Sequence, residues 1–424
     1  MIAGYFSRAI TFLERLTKTD VRYITRNGFW LILGQGGAVL LSLGTAVAFG
    51  HFASQDTYGN YKYILSLAGL FSAFSLSGIG TAIIQATAKG FEGSLRQGVH
   101  LSLKWSWGIL LISLAAAAYY FFIEHNAFLG VSLVIVGFVS PLLNSFSLFD
   151  SFLTGKKQFK RNALYAFLNA LIPAVCVIGA LFFFDRAIVV VGTYFISNAL
   201  CDFIFYRIAL RQEQNQTTDS HLLSYSKHLS VMGIVGAIGD KIDSIVLFSL
   251  IGPAGLAVYA FATAIPEQIK QIYKLALPLS APRFAERSLR DIAQTIWRRV
   301  IFLALGAGAA VVAYEAVAPL LFTLLFPNYL DAVTYSLWYA PSIILSCASV
   351  PFLSILQAHK KTKSLYITTL ASSLFLIFAT PPLAYFFDIS GIIVGQYLYR
   401  AFGLLLLIWQ FIVSLHTDTG YGIK

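Results

Sequence analysis

The sequence predicts an all-α integral membrane protein: twelve transmembrane helices in two pseudo-symmetric six-helix lobes around a central cavity. Three observations carry this. First, 58% of the 424 residues are hydrophobic and only 12% are charged, against about a quarter charged in an ordinary soluble domain. Second, twelve apolar stretches are each long enough for the roughly 20 helical residues that span a 30 Å hydrocarbon layer. Third, the basic residues sit on alternate connections, as the positive-inside rule requires. The net charge of +11 then has a membrane origin, and nucleic acid is not expected as a partner.

Residues 1–27 hold Arg8, Arg15, Lys18, Arg22 and Arg26 and no apolar core of signal-peptide length, so they predict a cytoplasmic leader. Its Phe6, Ile10, Leu13 and Leu16 recur at helical spacing, as in a helix lying on anionic lipid; a solvated leader fits equally. The N-terminal lobe, 28–210, contains the stretches 28–50, 60–85, 101–123, 127–152, 163–184 and 187–207. A polar cytoplasmic linker, 211–227, comes next. The C-terminal lobe, 228–415, contains 228–251, 254–279, 298–318, 330–357, 364–387 and 389–415, and residues 416–424 form a cytoplasmic tail. With both termini cytoplasmic, all but four of the 30 Lys and Arg lie on that side, Lys360, Lys361, Lys363 and Lys424 among them. The exceptions are Lys62 and Arg186, near the opposite face, and Lys241 and Arg400, inside spans. An odd number of spans would destroy this asymmetry.

The halves look related. Phe49 to Gly69 aligns with Phe248 to Glu267, matching Tyr61 with Tyr259 and Tyr63 with Phe261. The basic loop Leu153 to Tyr165 resembles Leu356 to Tyr366 at nearly the same offset. An even number of spans per half relates the lobes by an axis along the membrane normal and leaves a cavity between them.

Charges inside apolar spans are the candidate functional residues, because each carries about 2.5 to 3.5 kcal/mol of insertion cost and has to face water or a partner. Asp240, Lys241 and Asp243 sit mid-span; the two aspartates share a helix face and Lys241 lies about 100° round. Asp150, Asp202, Glu315 and Arg400 are further intramembrane charges. Glu267 and Lys270, three apart on one face, read equally as cavity lining or as a structural ion pair. Seven prolines within spans, Pro141, Pro173, Pro253, Pro266, Pro278, Pro341 and Pro351, favour kinks suited to lobes that rock.

No catalytic constellation is present. The histidines have no H-E-x-x-H spacing, and Gly78-Ile-Gly80 has no strand before it, so it reads as close helix packing. Cys176, Cys201 and Cys347 lie in apolar runs without metal-ligand spacing, and no cofactor or resident metal is expected. No connection is long enough to hold a folded soluble domain.

Several stretches together resemble the bacterial polysaccharide-biosynthesis flippases, the O-antigen and capsule repeat-unit translocases of the multidrug/oligosaccharidyl-lipid/polysaccharide exporter superfamily. They are Tyr58-Gly-Asn-Tyr61, Leu76 to Ile84, Asp243 to Tyr259 and the run on to Pro278-Leu-Ser-Ala-Pro282. The resemblance implies two lobes around a cationic cavity in the bacterial inner membrane. Through it an undecaprenyl-pyrophosphate-linked oligosaccharide would pass from cytoplasmic to periplasmic leaflet by alternating access. It implies a transporter rather than an enzyme, with membrane lipids, a coupling proton or sodium ion and the polysaccharide polymerase machinery as partners. Lys241 and Arg400 become candidates for holding pyrophosphate. Gln85 and Thr87 stand where relatives often carry a basic residue, which weakens the first half's share in anion binding. The alternatives are a cation-coupled drug antiporter of the same superfamily, if Asp240 and Asp243 set the cavity's sign, or a membrane-embedded glycan polymerase or acyltransferase.

Overall fold

The computed structural model describes residues 21–184, 186–274, 289–359 and 361–419. The leader up to residue 20, the Pro278 to Pro282 run, Arg283, Arg287, Lys360 and Lys424 lie outside the described residues. Among those described, the chain is helical throughout, with no strand. The first half contains α1 (Val21–Phe52), α2 (Gln55–Ser72), α3 (Ile79–Ala88), α4 (Ser94–Trp105) and α5 (Trp107–Phe122). It continues with α6 (Ala127–Phe146), α7 (Phe149–Gly155), α8 (Phe159–Phe183) and α9 (Ala187–Leu210). The second half contains α10 (Leu222–Ile251), α11 (Pro253–Lys274), α12 (Leu289–Leu325), α13 (Ala332–Tyr339), α14 (Ser342–Ala358) and α15 (Thr362–Thr419).

Seven helical stretches among the described residues are long and apolar enough to cross a membrane, fewer than the twelve apolar stretches read from sequence. The difference has local causes. The stretch 60–85 is interrupted between α2 and α3, and α10 and α11 carry the charges that lower their hydropathy. The last two stretches form one element, α15, which bends at Asp388 with φ 51° and ψ −133°. Residue 388 is the position left between the predicted stretches 364–387 and 389–415. Beyond it the chain doubles back: Phe402 stacks on Phe375 at 4.9 Å, and a Cβ at Gly391 would collide with the Leu383 carbonyl. Only glycine permits so close an approach.

Turn chemistry fixes the hairpins that matter for the site. Ser54 caps α2, its Oγ accepting from the Thr57 amide at 3.2 Å. Gly252, at φ 86°, ends α10 in a conformation other residues avoid, and Pro253 at once opens α11 with its φ already set for a helix. This reversal places Tyr259 of α11 beside Asp243 of α10.

We refer to the helices before and after the connector 211–221, α1–α9 and α10–α15, as the first and second bundles, and their cores explain how they join. One cluster draws buried residues from both: Phe49, Tyr58, Ile64, Leu129 and Val190 with Leu247, Phe261, Phe322, Tyr329 and Ile392. It lies toward the α1–α2 and α10–α11 turns. At the opposite end, that of the connector 211–221, each bundle has its own core. In the first, Ile83, Leu95, Phe152 and Phe205 pack together; in the second, Ile292, Ile296, Phe352 and Leu407 do. The bundles are therefore fused by apolar burial at the turn end, while at the connector end their cores are separate except that Leu222 at the start of α10 packs into the first.

The fused end is held by close backbone approach. A Cβ at Gly59 would collide with the Pro253 carbonyl across the seam. The Tyr58 ring lies tilted against Phe261 at 4.4 Å, and the Asn328 side-chain amide donates to the Gly50 carbonyl at 3.1 Å. Gly59→Val should therefore force the seam apart, costing about 1 to 3 kcal/mol. A lower Tm of the purified protein by scanning fluorimetry is the expected result; an unchanged Tm would contradict the close seam.

Candidate transport cavity

Two adjoining chambers are present, one of about 580 Å³ lined from both bundles and one of about 680 Å³ lined by the second bundle alone. Lys241, Ser244, Tyr259, Thr263 and Glu267 line both and form the partition between them. All five come from α10 and α11, whose sharp turn at Gly252-Pro253 sets the two helices side by side. Every one of them is polar or charged, which explains why neither helix reads as strongly apolar.

The chambers differ in chemistry. The first takes Lys62, Asn169, Tyr194 and Asn198 from the first bundle, and Glu267 is the carboxylate that reaches it. Lys62 lies 5.2 Å from the centre of the Tyr58 ring, and the Lys241 stem passes over Gly69. Among the described residues neither lysine has an ion-pair partner. The second chamber is lined from the second bundle by Asp240, Asp243, Thr368, Ser372, Ser373 and Gln396, among others. It is rich in oxygen acceptors.

A buried network stands in the wall of the second chamber and reaches the first through Glu267. Arg400 on α15 is 6% exposed and donates to Glu267 Oε1 at 2.8 Å, to Ser342 Oγ at 2.7 Å and to Tyr339 Oη at 2.5 Å. Its guanidinium lies 4.8 Å from the centre of the Tyr339 ring. Tyr339 in turn donates to Glu267 Oε1 at 2.6 Å, and Glu267 Oε2 pairs with Lys270. A guanidinium would be prohibitively costly here alone; three acceptors and a ring face make it tolerable. Asp243, 7% exposed, accepts at Oδ2 from Tyr259 at 2.8 Å and from Gln396 at 2.5 Å, while its Oδ1 has no partner among the described residues.

Of the residues singled out from sequence, Asp240, Lys241, Asp243, Glu267, Lys270 and Arg400 all line the second chamber. Asp150 and Asp202 line neither and lie in the first bundle, where Asp202 is 2% exposed with Oδ1 unpartnered among the described residues. Arg400, which the sequence leaves open as cavity lining or lobe anchor, lines the second chamber and is paired with Glu267. Lys62 is the residue the sequence reading passed over. Its place near the outer end of a stretch looked like ordinary flanking charge, yet α2 turns it into the first chamber. Helical phase with Tyr58 and Leu65, which also line that chamber, was the available signal.

A family model described as polysaccharide biosynthesis protein matches residues 24–288. No curated protein matches the sequence. Among solved structures the chain is similar to a multidrug resistance MATE family transporter of the MOP superfamily in an inward-facing conformation. The TM-score is 0.65 at 13% identity, covering 94% of this chain and 95% of that one. The lipid II flippase MurJ in an inward closed conformation gives a TM-score of 0.64 at 12% identity, covering 90% and 87%. A MOP superfamily transporter from Pyrococcus furiosus gives 0.57 at 14% identity, covering 92% and 95%. At such identities the likeness establishes a shared fold.

The Glu267–Arg400 pair makes a direct test of the network. Glu267→Gln should destabilise the purified protein by about 3 to 5 kcal/mol, because it strands the buried Arg400 guanidinium, and Arg400→Gln by less, because Glu267 keeps Lys270 and Tyr339. The double substitution should cost clearly less than the sum in a thermal-unfolding cycle. Additive losses would show that the two groups do not depend on each other.

Proposed function

Since the chain belongs to this polysaccharide biosynthesis protein family, we propose that it is a flippase for a lipid-linked oligosaccharide. The carrier lipid is read as undecaprenyl pyrophosphate and the cargo as an O-antigen, capsule or exopolysaccharide repeat unit. The observation that carries the proposal is the first chamber's charge: two uncommitted lysines, Lys62 and Lys241, and one carboxylate already neutralised by Arg400 and Lys270. Such a chamber suits a multiply charged anion such as pyrophosphate, which cations alone compensate away from water. A drug antiporter with a cationic cargo would want the opposite sign. The neighbouring Asn169, Asn198 and Tyr194 offer hydrogen bonds and a ring face to sugars.

The distribution of Lys and Arg supports a cytoplasmic connector end and a periplasmic turn end, in a bacterial inner membrane with both termini in the cytoplasm. On that orientation twelve spans divide into lobes at 28–210 and 228–415, and the seal of Phe49, Tyr58, Phe261 and Tyr329 closes the periplasmic side. Separate cores at the cytoplasmic end let the lobes part there without exposing a shared core. The cargo enters from the cytoplasmic leaflet and leaves to the periplasmic one when the seal opens and the connector end closes. Asp243, with one carboxylate oxygen unpartnered beside an acceptor-rich chamber, is the proposed seat of a coupling proton or sodium ion.

The test uses purified protein in liposomes loaded with a lipid-linked oligosaccharide, reading how fast sugar becomes accessible to an added glycosidase. Lys62→Ala and Lys241→Ala should each slow exposure roughly tenfold or more, from about 1.5 to 3 kcal/mol per charge-assisted hydrogen bond. Unchanged rates would remove the lysines from the site. No protein-dependent exposure, with efflux of a cationic dye instead, would replace this reading by the antiporter.

Asp243→Asn should abolish any acceleration by an imposed pH or sodium gradient while leaving the ungradiented rate measurable. A gradient response that survives the substitution would place the coupling ion elsewhere.

A further inference from the structure

The two bundles are joined covalently only through the connector 211–221, the natural candidate for a hinge between them. The contacts argue otherwise, because this connector is strapped to the first bundle. Lys156 Nζ bridges Glu92 Oε2 at 2.9 Å and the Gln212 carbonyl at 2.8 Å. The Gln214 amide donates to the same Glu92 oxygen at 2.7 Å, and Arg96 Nε donates to Glu213 at 2.7 Å. The Asp219 amide reaches Ser94 Oγ at 3.2 Å.

The attachment continues into α10. Leu222, 1% exposed, belongs to the first bundle's connector-end core with Leu76, Leu95 and Phe205. Gln85 Nε2 donates to Tyr225 Oη at 2.9 Å, and the Gly78 amide donates to Ser230 Oγ at 2.9 Å. From Gly239 onward α10 packs against α15: a Cβ at Gly239 would lie 3.1 Å from Ser373 Cβ, and Asp243 is bonded to Gln396. The far end of α10 keeps contact with α2 as well, the Lys241 stem lying over Gly69 and Phe248 stacking on Tyr63 at 3.7 Å, so the helix begins in the first bundle and ends shared between the two. Between the two attachments stand Gly233 and Gly236. Neither is needed for packing, since a Cβ at either would meet only ordinary contacts, with Ser77 Oγ at 3.6 Å and Thr369 Cγ2 at 3.8 Å. Glycine inside a helix is destabilising where a methyl would fit, and these two stand where α10 passes from contacts with the first bundle alone to contacts with α15.

We propose that the hinge between the bundles is the Gly233–Gly236 stretch inside α10, and that the connector with the first turns of α10 moves as part of the first bundle. Such a hinge rests on bundle motion but not on the particular cargo. Alternating access then bends α10 between Ser230 and Gly239 while the seam of Gly78, Gln85, Tyr225 and Ser230 stays closed throughout the cycle.

The experiment joins Gln85→Cys to Tyr225→Cys with a short thiol-reactive linker, in a variant whose three native cysteines are replaced and whose activity matches the parent. Two readouts are taken: lipid-linked oligosaccharide flipping, and the distance distribution between spin labels at exposed Arg161 and Arg298 in liposomes. The hinge in α10 leaves both unchanged by the cross-link. Loss of flipping or a frozen distance distribution on cross-linking would overturn it, because α10 would then have to leave the first bundle as a rigid rod. In the same assays Gly233→Ala/Gly236→Ala should raise Tm by about 1 to 3 °C yet slow flipping at least fivefold and narrow the distances. A faster or unchanged variant would overturn the glycine hinge. The distance readout stands even if no oligosaccharide is flipped, which keeps a failed hinge distinct from a failed substrate assignment.

Discussion

A charge buried in a membrane protein has to be compensated where it stands, and the Glu267 carboxylate is the point at which this protein meets that demand. It accepts from Arg400 and Tyr339 at one oxygen and pairs with Lys270 at the other. Through those bonds it ties α11 to α13 and α15, so three elements of the second bundle are positioned by one group. Remove it and a guanidinium of 3% side-chain exposure would be left in a medium that cannot solvate it. The network therefore holds Arg400 on Glu267, Ser342 and Tyr339, while Lys62 and Lys241 have no ion-pair partner among the described residues.

Apolar burial is distributed to complement this polar centre. A single core that crosses between bundles seals the turn end, and two separate cores hold the connector end. Each bundle can keep its connector-end core intact while its relation to the other changes. That is the energetic requirement for a cavity that opens, since no large apolar surface shared across the connector end has to be exposed. The aromatic contacts of Tyr58, Phe261 and Tyr329 at the turn end are of the opposite kind, and separating them is the costlier half of a cycle.

The polarity of the two chambers is likewise set by which bundle supplies the wall. The first bundle contributes a lysine, amides and hydroxyls, the second contributes carboxylates and hydroxyls with Lys270 and Arg400 beside them, and α10 and α11 form the partition. Lys241 reaches both chambers from the same helix that holds Asp243, so an anion on one side and a cation on the other would share a single rigid element. Reciprocal coupling between two sites needs such a physical link.

By itself, the sequence determined the features that local composition and short-range geometry dictate. Apolar stretches of membrane length, the break between 387 and 389 and the alternation of basic connections are all written in neighbouring residues, whereas Pro253, which reads from sequence as a kink within a span, opens α11 after the turn at Gly252. The isolated charges Asp243, Glu267, Lys270 and Arg400 were legible too, because an apolar context makes them conspicuous. Tertiary structure alone decided their partners. Asp243 meets Gln396 across 153 residues and Glu267 meets Arg400 across 133, separations over which no periodicity carries information. It also turned Lys62 from a flanking charge into a cavity wall, set Asp150 and Asp202 apart from the chambers, and gave the first turns of α10 to the first bundle. These outcomes depend on which helix faces which, and that choice is made by packing and by the cost of an uncompensated charge.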